Sequence, residues 1–170
     1  MRSKVIITIL FMLCATWQTV AQTTNHQAFS VFVYGLSRYT SWPPAGHTEF
    51  TIAVIGKSKT YDEMIKNSAG KSIGGLPIKV VQVDDPKTVL NAQIIYLPDN
   101  NSSMLDEIKK LTDGKPVLII AEREGLHKKG AGMSFIAIDS KLRLDINSKE
   151  LQNRQIKIAS QLQSLANEVI

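Results

Sequence analysis

Cysteine occurs once in the 170 residues, at Cys14, and nowhere is there an apolar run long enough to span a bilayer. The longest such run, Val5 to Trp17, holds about 13 residues, against roughly 20 needed for a membrane-crossing helix. Arg2 and Lys4 precede it, and Thr19-Val20-Ala21 follows with the small or modest side chains a signal peptidase reads. Residues 1–21 are therefore predicted to be a secretory leader and residues 22–170 the folded domain. A retained anchor is one alternative. Lipidation of Cys14 is another, but Leu13 stands where a lipobox requires a small residue. Cleavage after Ala21 removes the sole cysteine, which excludes a disulfide, a thiolate nucleophile and a cysteine metal site.

Charge of one sign is also missing. The chain carries 20 Lys+Arg and 15 Asp+Glu, and loss of Arg2 and Lys4 with the leader lowers the basic count to 18. No basic run exceeds Lys128-Lys129, so the balance predicts a mixed solvated surface and gives no argument for nucleic acid. Repeats, low-complexity tracts and linkers are absent. About 149 residues after cleavage suffice for one domain with its own core.

What is present alternates between helix and strand signals. Phe29, Phe32, Val33, Leu36 and Tyr39 recur at helical spacing, predicting a helix over 27–40 after a frayed 22–26. Pro43 and Pro44 end it, because a residue before proline is pushed out of the α region. Strands are predicted over 49–55, 77–83, 93–97 and 116–121. Between them lie a helix capped by Ser58, a loop from Gly70 to Gly75, a short helix after Asp85-Pro86, and a helix to Leu111 with a Ser103/Asp106 capping box. Strands that are apolar throughout and separated by helices predict a mainly parallel sheet covered on both faces, a three-layer α/β domain. The end differs: 132–138 and 142–146 read as a hairpin around Asp139-Ser140-Lys141. A long terminal helix is then predicted, opened by Asn147/Glu150, with Leu151, Ile158, Leu162, Leu165 and Val169 on one packing face.

The order and spacing of several short motifs resemble the YfiR/HmsC-like family of periplasmic proteins. They are Phe29-Ser-Val-Phe32, Arg38-Tyr39-Thr-Ser-Trp42-Pro43, Ile55-Gly56, Ala92-Gln-Ile-Ile-Tyr-Leu97, Gly125-Leu126, Gly130-Ala-Gly132-Met-Ser-Phe135, Leu142-Arg143-Leu-Asp-Ile146-Asn147 and Ser160-Gln161-Leu162. The likeness covers nearly the whole chain after the leader. It implies an α/β periplasmic regulator; the best-known member represses an inner-membrane diguanylate cyclase, linking the envelope to cyclic-di-GMP, exopolysaccharide and biofilm. Two departures stand out. That regulator depends on disulfides, and composition excludes a thiol switch here. The family's small-Gly-Leu turn before the Ser-Gln pair is replaced by Arg154-Gln155-Ile156, a change expected to bear on the partner surface more than on the fold.

No catalytic constellation accompanies these motifs. His26, His47 and His127 are scattered in sequence, with no second His, Cys or carboxylate at ligand spacing, so no metal or other cofactor is expected. A Gly-x-Ser-x-Gly elbow is absent, and the Gly70–Gly75 stretch lacks P-loop spacing. Glu122 and Arg123 follow the fourth strand, where open α/β sheets place ligands, yet a solvated loop with local Arg–Glu pairing is the favoured reading. Arg38, Tyr39, Trp42 and Pro43 gather aromatic and guanidinium groups at a helix end, as protein contacts do; alternatively Tyr39 and Trp42 plug the core edge. Leu126 and His127 lie in a glycine-bounded loop, Glu124 to Gly130, that is either a mobile contact or an ordinary turn. The resulting expectation is a non-enzymatic periplasmic domain that binds a membrane signalling receptor, a diguanylate cyclase or a sensor kinase. Homodimerisation stays open, and a periplasmic small-molecule binder with its ligand near Glu122 and Gly125 is the alternative.

Overall fold

The computed structural model describes residues 19–170 except Leu90 and Ser140, with side chains from His26 onward. The leader's basic start, its apolar run and Cys14 lie outside the described residues. No helix among the described residues is long and apolar enough to cross a membrane.

The first helix, α1 (Thr19–Arg38), includes the residues expected to fray. Neither proline nor glycine interrupts the chain from Thr19 to Tyr34, so nothing stops the helix from propagating. Val33 and Leu36 are buried beneath it, whereas Phe32 and Tyr39, predicted to share that buried face, are 36 % and 52 % exposed. After β1 (Thr40–Ser41) come β2 (Phe50–Ile55) and α2 (Lys59–Ser68). Ser58 caps α2 as predicted, its side chain accepting from Thr60 N at 3.1 Å. Within the expected Gly70–Gly75 loop, β3 (Ser72–Ile73) folds back on β4 (Leu76–Val83) across Gly74-Gly75.

A 3₁₀ turn, Pro86–Val89, leads to β5 (Ile94–Leu97). A second 3₁₀ segment, Asp99–Met104, runs directly into α3 (Leu105–Leu111). The Ser103/Asp106 capping box does not form: Met104 occupies the N-cap without a side-chain bond, because the preceding turn already holds the backbone. Then follow β6 (Leu118–Ala121), the 3₁₀ turn Leu126–Lys129, β7 (Met133–Ile138) and β8 (Lys141–Ile146).

The main sheet has eight strands in the order β10-β8-β7-β6-β5-β2-β4-β3. Its centre, from β7 through β4, is parallel, and the predicted hairpin extends it, since β7 pairs parallel with β6 and antiparallel with β8. β5 and β6 are buried along their full lengths, as strands covered on both faces must be. One apolar layer packs Val33, Leu36, Met64, Leu151 and Leu162 against the sheet, and the opposite layer uses Val89, Leu105, Ile108 and Leu126. The three-layer α/β arrangement is thus present.

The long terminal helix is not. The chain instead forms α4 (Ser148–Asn153), β9 (Lys157–Ile158), α5 (Ser160–Leu165) and β10 (Glu168–Val169). Asn147 caps α4 as expected, accepting from Glu150 N at 2.8 Å, but the Glu150 carboxylate turns to Arg154 Nε at 2.6 Å. The helix ends in a Schellman turn: Ile156 N donates to Leu151 O at 2.9 Å and Gln155 N to Gln152 O at 2.9 Å, with Gln155 left-handed at φ 57°. Leu151 and Ile156, the hydrophobic pair of that motif, are both buried in the core. Arg154 is only 4 % exposed and its Nη1 donates to Thr112 O and Oγ1, which fixes the turn from inside. β9 then pairs with β1, and β10 lies parallel on the β8 edge.

Candidate functional site

The residues singled out from the sequence fall at opposite ends of the sheet. Trp42 sits where β2 and β5 begin: its ring meets Phe50 edge-on at 4.9 Å and its Nε1 donates to Gln93 O at 3.1 Å. This half-buried indole is a plug in the core edge. Arg38, Trp42 and Pro43 line a cavity of about 450 Å³ there. Tyr39 points elsewhere, its side chain exposed while its carbonyl accepts from Ala159 N at 2.8 Å.

Tyr39 belongs to an apolar groove of about 420 Å³ between α1, β8 and α5. Val31, Phe32 and Tyr39 come from the helix, Leu142 and Leu144 from the strand, and Leu162 and Leu165 from the short terminal helix, with Lys141 and Arg143 at the rim. Leu165 is 68 % exposed and Val31 53 %. Large side chains left in water on three adjoining elements form one patch, the kind of surface that marks an interaction site. The sequence hid this groove because Leu165 fits a continuous helix, whose apolar stripe would have buried it.

At the other end, β2 connects outward to β4 while the chain returns to β5 on its opposite side, so the order reverses between β2 and β5. Ligands in open α/β sheets bind outside the carboxyl ends of strands at such a point. Here a cavity of about 460 Å³ is lined by His26, Phe29, Lys57, Lys59, Asn100 and Glu122 among others. Glu122 is held firmly: Oε1 accepts from Tyr96 Oη at 2.6 Å and Thr60 Oγ1 at 2.9 Å, and Oε2 from Asp99 N at 3.0 Å. Since Thr60 gives its proton to Glu122, His26 Nδ1 is the donor to Thr60 Oγ1 at 2.9 Å. Burial, and then the Glu122 carboxylate, raise the Tyr96 pKa well above its ordinary value. Arg123 leaves this cluster and pairs with Asp99 in the open, Nε to Oδ1 at 2.6 Å.

The glycine-bounded loop turns its centre inward. Gly125 and Gly130, left-handed at φ 76° and 100°, close a tight 3₁₀ turn that drives Leu126 and His127 inward to 5 % and 1 % exposure. His127 meets partners remote in sequence. Its Nδ1 lies 2.8 Å from Ser134 Oγ and 3.8 Å from Asp145 Oδ2, and its Nε2 is 3.0 Å from Glu168 Oε2. Lys128, in turn, donates to Glu168 at 2.8 Å, which lowers the Glu168 pKa together with the His127 hydrogen bond. Asp145 and Glu168 stand 18 and 41 positions beyond His127 and its neighbours on separate strands, a distance no local motif spans.

Residues 26–167 match the sequence profile DUF4154, YfiR/HmsC-like. The chain belongs to the YfiR/HmsC-like family. Its members are typically periplasmic regulators rather than catalysts. No curated protein sequence matches this family member. Two solved structures share its fold at TM-scores of 0.57. One is a conserved domain protein from Vibrio cholerae O1 biovar El Tor, 13 % identical over 83 % of the chain and 60 % of its own length. The other is an ABC domain in complex with L-Trp from Streptococcus pneumoniae, 16 % identical over 85 % of the chain and 60 % of its own. The chain therefore spans about three-fifths of those proteins, and at such identity the likeness is one of fold.

Proposed function

We propose that this YfiR/HmsC-like protein is exported to the periplasm and works without catalysis, by docking on the extracytoplasmic domain of a membrane signalling receptor. The receptor is a diguanylate cyclase or sensor kinase, restrained until an envelope signal releases it, with cyclic-di-GMP and biofilm-type output downstream. The observation that carries this reading is the apolar groove of Phe32, Tyr39, Leu142 and Leu165, left open to solvent in a family of regulators. Its aromatic centre and basic rim of Lys141 and Arg143 fit a partner surface with an apolar anchor and acidic flanks. Restraint by binding requires only that the regulator prefer one of two receptor states. Leu165→Asp places a charge at the exposed edge of the groove, where folding does not need the leucine. It should weaken receptor binding at least tenfold, equivalent to about 1.4 kcal/mol, with the melting temperature unchanged; undiminished binding would contradict the docking face.

A small-molecule binder is the second reading, favoured by the cavity at the β2/β5 reversal with its two lysines, His26 and the fixed Glu122 carboxylate. A soluble metabolite that raises the melting temperature by several degrees, with the effect lost in Lys59→Ala, would move the weight to that site.

A further inference from the structure

We infer that His127, Asp145 and Glu168 form a binding site for a zinc-like divalent cation that clasps the C-terminal strand to the sheet edge. One donor atom from each residue lies within 4.8 Å of the others. Zinc binds imidazole nitrogen and carboxylate oxygen at about 2.0–2.2 Å, so tetrahedral donors stand roughly 3.4 Å apart. With every donor within 4.8 Å of the others, no pair has to close by more than about 1.4 Å to reach that, and the His127 Nε2 to Glu168 Oε2 separation, 3.0 Å, already lies inside it.

Three features favour a cation beyond simple proximity. Asp145 is a carboxylate only 2 % exposed, and among the described residues its sole ion-pair partner is His127 at 3.8 Å. A buried carboxylate without a cation is costly, and a metal ion supplies the missing charge. Two of the three ligands, Asp145 and His127, are also oriented by a group behind them. Asn167 Nδ2 donates to Asp145 Oδ1 at 2.9 Å, leaving Oδ2 free to turn to a metal. Ser134 holds His127 Nδ1 at 2.8 Å, and Asn147 Nδ2 donates to the His127 carbonyl at 2.7 Å. Such outer partners are what give metal ligands their fixed tautomer and direction. Finally, the donors come from three segments, the 3₁₀ turn, β8 and β10, so an ion would join three separate parts of the chain, the last of them meeting the sheet through a two-residue strand and a few side-chain bonds. Lys128, 57 % exposed and paired with Glu168, would swing out to water when the ion enters.

The test is calorimetric titration of the purified protein with zinc chloride, beside Glu168→Gln and a His26→Gln/His47→Gln double variant. Glu168 is partly exposed, so its neutral replacement leaves the core untouched. One zinc per chain is expected, weakened at least tenfold in Glu168→Gln and unchanged in the double histidine variant. X-ray absorption of the zinc-loaded protein should show one imidazole among oxygen ligands. Binding no tighter than about 0.1 mM, binding unaffected by Glu168→Gln, or a spectrum with several imidazoles would overturn the site.

Discussion

Tyr96 lies at full burial in the central strand β5, with its hydroxyl 2.6 Å from Glu122. A phenol and a carboxylate share one proton-poor environment there, and the phenol keeps its proton because a phenolate beside Glu122 in a desolvated site is strongly disfavoured. The folded protein therefore holds this proton more tightly than the unfolded chain, whose tyrosine releases it near pH 10. Stability from this group is complete below that pH and is lost as pH rises toward the raised folded value. In a tyrosinate absorbance titration, Tyr96 should ionise only as the protein unfolds, and Tyr96→Phe should abolish that final step. Ionisation of all four tyrosines before any loss of circular dichroism would refute the assignment. Glu122 itself was visible as the residue after an apolar strand. Its partners Thr60 and Tyr96 were not, because each reads alone as ordinary helix or core.

Among the elements, the stop after α4 is the most instructive. Gln155 occupies the left-handed position of a Schellman turn, where the family pattern has glycine and where an L-residue costs about 1–2 kcal/mol. Gln155→Gly removes that strain and adds some freedom to the unfolded chain, so a net gain of about 0.5–1 kcal/mol is expected from the denaturant midpoint. A midpoint that falls would mean the turn relies on the glutamine. The same turn shows where sequence periodicity fails. Leu151, Ile158, Leu162, Leu165 and Val169 keep helical spacing, yet Arg154 plunges into the core to reach Thr112 and Val117 and breaks the run. Nothing local announces a buried arginine whose partners lie some forty positions earlier. By contrast, β2, β5 and β6 were legible as mostly apolar runs of the kind a sheet covered on both sides uses. β4 was legible for its β-branched residues, although it lies toward the sheet margin with no residue fully buried. The hairpin was legible from the two segments flanking Asp139-Ser140-Lys141, and Asp139 is left-handed at φ 50°.

For the whole molecule, the three-layer α/β fold separates three surfaces. The cavity around Trp42 is at the amino ends of the parallel strands, the Glu122 cluster is at their carboxyl ends, and the apolar groove lies along α1 and the sheet's β8 edge. The sequence named residues on all of them but could not tell which shared a surface, because that is decided by strand order. Tyr39 and Trp42, three positions apart, end on different faces; Tyr39 and Leu165, far apart, line the same one. The proposed regulation by docking thus draws on the groove rather than on the Trp42 turn. Photocrosslinking in cells tests this directly, with a photoreactive residue placed in turn at Phe32, Tyr39, Leu165 and, on the opposite layer, at exposed Glu107 of α3. Adducts with one membrane signalling receptor from the three groove positions and none from Glu107 are predicted; adducts of equal yield from Glu107, or no receptor adduct from the groove, would contradict the account.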